Sequence, residues 1–143
     1  MYKIVVIPLA VGFLTQGLKF VIKIGRGKKA GLSLLFGYGG IPSTHTAFSL
    51  SVLILVGLYE GIFTVAFGIA MVFTILILRD ALGIRKSLDN HARAINKLVQ
   101  NLPNSQKNGL ADQKEHIGHT PLEVILGIVL GGVFTMLLYW LLP

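Results

Sequence analysis

The chain contains no cysteine, and it is poor in charge: 13% of its 143 residues are charged, and six of them are acidic. The lack of thiols excludes a disulfide framework and thiolate metal sites. A soluble domain carries about 25% charged residues, so a content this low, beside 53% hydrophobic residues, places the chain among membrane proteins. Internal repeats and low-complexity tracts are also absent. His45, His91, His116 and His119 form no compact ligand spacing with Asp80, Asp89 or Asp112, so neither a metal nor another cofactor is expected. The first apolar stretch does not read as a cleavable signal peptide, because Lys19 and Lys23 stand where a cleavage region is neutral and small.

What is present is a set of long apolar runs. A span needs about 20 apolar residues, and four stretches reach or approach that length: about 4–24, 42–58, 61–78 and 120–142. Lys19 and Lys23 extend the first by snorkelling to the interface. The third carries no charge, and Tyr139 and Trp140 give the last an interfacial anchor. Ile84, Leu88, Ile95, Val99 and Leu102 keep roughly helical spacing and predict an amphipathic helix at the interface. The polar stretch 103–113 reads as loop. The expected fold is therefore all-α: one integral membrane domain, 1–143, a bundle of about four transmembrane helices with an interfacial amphipathic helix.

The basic residues set the orientation. Of thirteen Lys and Arg, five lie between Lys19 and Lys29 and seven between Arg79 and Lys114. With four spans, the loops 25–41 and 79–118 emerge on one side, and with Lys19 and Lys23 at that interface they place twelve of the thirteen basic residues there. The positive-inside rule makes that side cytoplasmic and puts both termini outside. Charge flanking apolar runs suits anionic headgroups or an anionic substrate rather than nucleic acid.

Two polar clusters sit on the basic side, each at the mouth of a span. The first is "GGIPSTH", with Gly39, Gly40, Pro42, Ser43, Thr44 and His45. Glycines allow close backbone approach, and a helix N-terminus offers free N–H groups to a phosphate. The second is "GHTPLE", with His119, Thr120, Pro121 and Glu123. Thr120 and Glu123 also match a capping box with Pro121 at the first helical position, and Ser43 an N-cap. If the two helices pack together, His45 and His119 face one pocket.

These phrases, with "RDALGIRK" between them, resemble the divergent branch of the type 2 phosphatidic acid phosphatase superfamily, small membrane proteins of bacteria and plants. "PSTH" resembles the superfamily's Pro-Ser-Gly-His motif, and "GHTPLEVILG" its third motif. Lys19 and Arg26 have the spacing of the first motif, and the likeness covers about Lys19 to Gly127. There are departures: Thr44 stands for Gly, Glu123 for Asp and Gly27 for Pro, and the third-motif Arg falls on Gln113. Arg79 or Arg85 is the candidate replacement cation.

The resemblance implies a metal-independent phosphatase acting on lipid phosphates at the bacterial cytoplasmic membrane, with phosphatidylglycerophosphate or phosphatidic acid as candidate substrates. His119 is then the nucleophile, Glu123 the partner of its other ring nitrogen, and His45 the general acid and base. Lys19, Arg26, Arg79 and Arg85, with the N–H groups at Ser43 and Thr44, are the phosphate-binding set. A non-catalytic lipid-phosphate binding or transport protein is the alternative. A further option is a structural subunit, since Gly57-x-x-x-Gly61 and Gly127-x-x-x-Gly131 suit close helix packing or a homodimer.

Overall fold

The computed structural model describes residues 2–27, 40–103, 106–107, 110, 113, 115 and 118–143. Gly39, Asp112, His116 and most of the expected loop 25–41 lie outside the described residues. Among the described residues the long elements are all helices: α1 (Lys3–Gly25), α2 (Thr44–Glu60), α3 (Val65–Leu82), α4 (Ile84–Gln100) and α5 (Pro121–Leu141). At 1.5 Å per residue they run about 35, 25, 27, 25 and 31 Å. Among the described residues, three helical stretches are long and apolar enough to cross a membrane: α1, α3 with its continuation into α4, and α5. The fourth expected span, α2, is apolar but only 17 residues long.

The chain is a helical membrane bundle, and its packing is that of a protein solvated by lipid. Its buried apolar centre is small, formed by Ile7, Val11, Ala47 and Leu55. Most large side chains point outward instead; Phe13 is 77% exposed and Phe73 65%. Lipid tails are as apolar as leucine, so such helices associate through close backbone approach rather than hydrophobic transfer. α2 lies at the centre, against α1, α3 and α5. A Cβ at Gly127 would meet the Ser43 carbonyl oxygen at 2.6 Å, and one at Gly131 the Ala47 Cα at 2.6 Å. Gly57 similarly makes room for the Phe67 ring, where a Cβ would lie 3.1 Å away. The Gly127 and Gly131 spacing is thus occupied inside one chain, whereas of the other pair Gly57 is packed and Gly61 has open space.

Both termini meet at one end of the bundle. The Tyr2 hydroxyl donates to the Pro143 carbonyl at 2.5 Å, and the Lys3 ammonium to that of Leu142 at 2.8 Å. The Tyr139 ring stands edge-on to Tyr59, 6.0 Å between centroids, which brings the α2–α3 turn to the same end. That turn occupies 61–64: Gly61 ends α2 with φ +90, and the Thr64 hydroxyl caps α3 by accepting from the Phe67 N–H at 3.3 Å. α3 therefore starts later than the apolar run at 61 suggests, and it continues past Arg79 and Asp80 to Leu82.

α4 turns its polar stripe toward the protein. Asp89, Ala92 and Asn96 are buried, whereas Ile84, Leu88, Ile95 and Leu98 are exposed. The Asn96 amide donates to the Gln113 carbonyl and the Glu115 carboxylate, at 2.9 and 2.8 Å, and its oxygen accepts from the Gln113 N–H. Asn96 of α4 thus holds Gln113 and Glu115, and the apolar face of the helix points outward as in a helix lying at a membrane interface.

Candidate active site

The polar end of the bundle is assembled by main-chain contacts among segments remote in sequence. The Ser43 N–H donates to the Glu123 carbonyl at 3.0 Å, joining the mouth of α2 to the first turn of α5. The His119 N–H donates to the Ala81 carbonyl at 3.2 Å, fixing the segment before α5 to the end of α3. Gly118 permits this approach, because a Cβ there would lie 2.8 Å from the Lys86 Cα. Gly40, at φ +97, receives the stems of Lys19 and Lys23: a Cβ would stand 3.4 and 3.0 Å from their Cε atoms.

These contacts bring His45 and His119 to one cavity of about 270 Å³, with Asp80, Arg85 and an apolar wall that includes Phe73, Leu76 and Ile77. His45 is exposed, and His119 is 3% exposed at the cavity's inner side. Neither ring nitrogen of His119 has a hydrogen-bond partner among the described residues. Burial pushes its imidazole down to about 4, and the nearby charges of Lys19 and Arg85 push the same way, followed by His45. The ring is therefore neutral at pH 7, the form with a nucleophilic nitrogen.

The other expected site residues divide clearly. Arg85 lines the cavity and forms an ion pair with Asp80, Nε to Oδ2 2.6 Å. Arg79 does not; it lines a neighbouring cleft of about 670 Å³ between α3 and α4, with His91. Lys19 is buried below the rim, near enough to act on both histidines electrostatically. Arg26 caps the C-terminal end of α1, exposed and seven residues past Lys19, about 10 Å along the helix axis. The Thr44 hydroxyl donates to Gln16 Oε1 at 2.9 Å, and the Ser43 hydroxyl pairs with that of Thr46 at 2.9 Å. The Ser43 N–H, already given to Glu123, is not available to a ligand. The first N–H groups of α2, from Thr44 to Thr46, precede the first intrahelical bond, that of Ala47 to Ser43, and the Ser43 side chain does not cap them.

Glu123 stands differently from the clamp on His119 that the motif implies. Its carboxylate accepts from the Thr120 N–H at 3.1 Å, while the Thr120 hydroxyl accepts from the Glu123 N–H at 3.3 Å. This is a complete capping box at the start of α5. Asp80 is the residue that the sequence did not mark for this site. It lies five positions before Arg85 across the Gly83 break, so no helical period reveals that the two side chains meet. Among the described residues no group of three His, Asp or Glu side chains is placed to hold a metal ion.

The family model described as "Divergent PAP2 family" matches residues 2–134. The uncharacterized membrane protein YuiD of Bacillus subtilis (strain 168) is 30% identical over 141 residues, covering 91% of this chain and 89% of that protein. No solved structure matches the chain.

Proposed function

This chain belongs to the divergent PAP2 family, and on that premise we propose that it is a membrane phosphatase that hydrolyses lipid phosphomonoesters through a phosphohistidine. The observation that carries this is the meeting of His45 and His119, from two separate helix mouths, in one cavity with Arg85. A ring nitrogen of neutral His119 attacks phosphorus, and the bond to the leaving alkoxide breaks as His45 donates a proton to that oxygen. His45 then takes a proton from water. The water oxygen bonds to phosphorus, the P–N bond breaks, and inorganic phosphate leaves with His119 restored. Arg85 and Lys19, with the first N–H groups of α2, stabilise the charge on the equatorial oxygens. Glu123 serves as a helix cap, and Arg79 and Arg26 steer anionic lipid from outside the cavity.

The site faces the cytoplasm. The end holding Lys19, Lys23, Arg85 and Lys86 is opposite the end where the termini meet, and positive residues favour the inner side. Phosphatidylglycerophosphate and phosphatidic acid are the substrates to test first, because both carry a phosphomonoester at headgroup depth. A non-catalytic lipid-phosphate binder is the second reading, favoured by Gln113 at the place of the family's third-motif arginine and by the occlusion of both His119 ring nitrogens.

Phosphate release from each lipid by detergent-purified protein, with EDTA present, separates the two. The phosphatase releases phosphate in EDTA and loses that activity in His119→Ala. Binding of both lipids without release from either makes the binder the function, and equal release by wild type and variant removes His119 as nucleophile.

A further inference from the structure

A further cavity, of about 520 Å³, runs along the seam of α2 and α3. Phe48, Val52 and Val56 form its α2 wall at a spacing of four, a stripe about 12 Å long. On α3 the small residues Ala66 and Ala70 leave the hollow, and the wall continues to Phe73 and Ile77, about 16 Å from end to end. Phe73 and Ile77 also line the cavity of His45 and His119, so the seam adjoins the candidate site across a shared wall.

The seam is dry in its chemistry. Its polar members are Ser49 and Thr74, and both hydroxyls are engaged. Ser49 donates to the Thr46 carbonyl at 3.2 Å, and Thr74 to those of Ala70 and Ser49 at 2.8 and 3.2 Å. A hydrocarbon lying there leaves no polar group newly unpaired. A groove with a charged cavity at one end and apolar walls along its length suits an amphiphile with a phosphate head. A second apolar helix could not extend into the polar end.

We infer that the α2–α3 seam is the acyl-chain site of the lipid phosphate, one chain running from the histidine cavity toward the Gly61 turn. The inference rests on the lipid-phosphate function for the head end of the ligand. The surrounding bilayer is already apolar, so the seam contributes by orienting the chain, which holds the phosphorus at His119.

The test uses phosphatidic acid carrying a diazirine midway along one acyl chain, photolysed with wild-type protein in detergent micelles and mapped by mass spectrometry. Labels concentrated on 48–56 and 66–77, and displaced by Ala70→Leu, are the expected result. Labels spread evenly over the outward faces of α1 and α5 overturn the inference. Ala70→Leu is also expected to lower the ratio of long-chain to short-chain phosphatidic acid hydrolysis at least about tenfold, since small misplacements cost rate steeply; an unchanged ratio counts against the seam. Hydrolysis with evenly spread labels sinks the seam but leaves the phosphatase standing. Labels in the seam without hydrolysis of any lipid phosphate sink the phosphatase and leave the acyl site.

Discussion

Ser43 and Glu123 are joined through the main chain, the Ser43 N–H donating to the Glu123 carbonyl at 3.0 Å. The bond locks the mouths of α2 and α5 together, and the glycines at 127 and 131 let the helices stay in contact below it. His45 lies two residues beyond one partner and His119 four residues before the other, so the bond holds together the two segments whose histidines line one cavity. A phosphoryl transfer that uses both depends on this arrangement.

His45→Ala is expected to lower kcat for lipid phosphate hydrolysis by about 10²–10⁴, the usual worth of a positioned general acid. His119→Ala is expected to abolish it. A His45 variant that retains the full rate in a phosphate-release assay would assign the proton transfer to another group.

Arg85 and Arg79 are expected to behave unequally, because only Arg85 lines the cavity with the histidines. Arg85→Ala should reduce kcat by about 10²–10³, the cost of losing a donor to developing negative charge. Arg79→Ala should act mainly through KM. Steady-state kinetics on both variants, with equal losses of kcat, would contradict the placement.

Glu123→Gln preserves a capping box, which accepts either side chain at that position. It is expected to keep the thermal midpoint and most of the turnover. Thr120→Ala breaks the box and should cost about 1 kcal/mol of stability. A large loss of kcat in Glu123→Gln at unchanged stability would restore the carboxylate as the partner of the His119 ring during turnover.

Neighbouring glycines on α5 provide a packing test. Gly131→Ala puts a methyl group 2.6 Å from the Ala47 Cα, and should destabilise by about 1–3 kcal/mol, as overpacking does. Gly132 has open space around its Cβ position. There the same substitution should leave stability unchanged or raise it by up to about 1 kcal/mol through helix propensity. Thermal unfolding in detergent that ranks the two the other way would disprove the α2–α5 contact.

The imidazole of His119 takes up its proton near 4 in the folded protein and near 6.5 when unfolded. The unfolded chain therefore binds more protons between these values, and stability rises with pH across that window. His119 contributes no such loss above 6.5; on acidification toward about 4 the folded state loses ground. Thermal midpoints at pH 7 and pH 5 should differ more in wild type than in His119→Asn. Equal pH slopes would show that His119 titrates normally.

The sequence by itself determined the membrane environment, the helices and the two polar mouths. These follow from local properties: long uncharged runs, the 3.6-residue period of α4, and the Thr-Pro-x-Glu pattern that caps α5. The basic residues between Lys19 and Lys29 and beyond Arg79 likewise mark one end of a bundle through their order along the chain. Tertiary structure decided which of the marked residues meet. Arg85 rather than Arg79 faces the histidines because Gly83 breaks the helix between them, and a helical period cannot be carried across a break. Glu123 became a cap because its carboxylate closes onto Thr120 in its own first turn. Phe73 and Ile77 are ordinary lipid-facing residues on a helical wheel. Only the packing of α2 against α3 makes them the wall shared by the site and the seam, since contacts between helices depend on their relative positions, and sequence order does not record those.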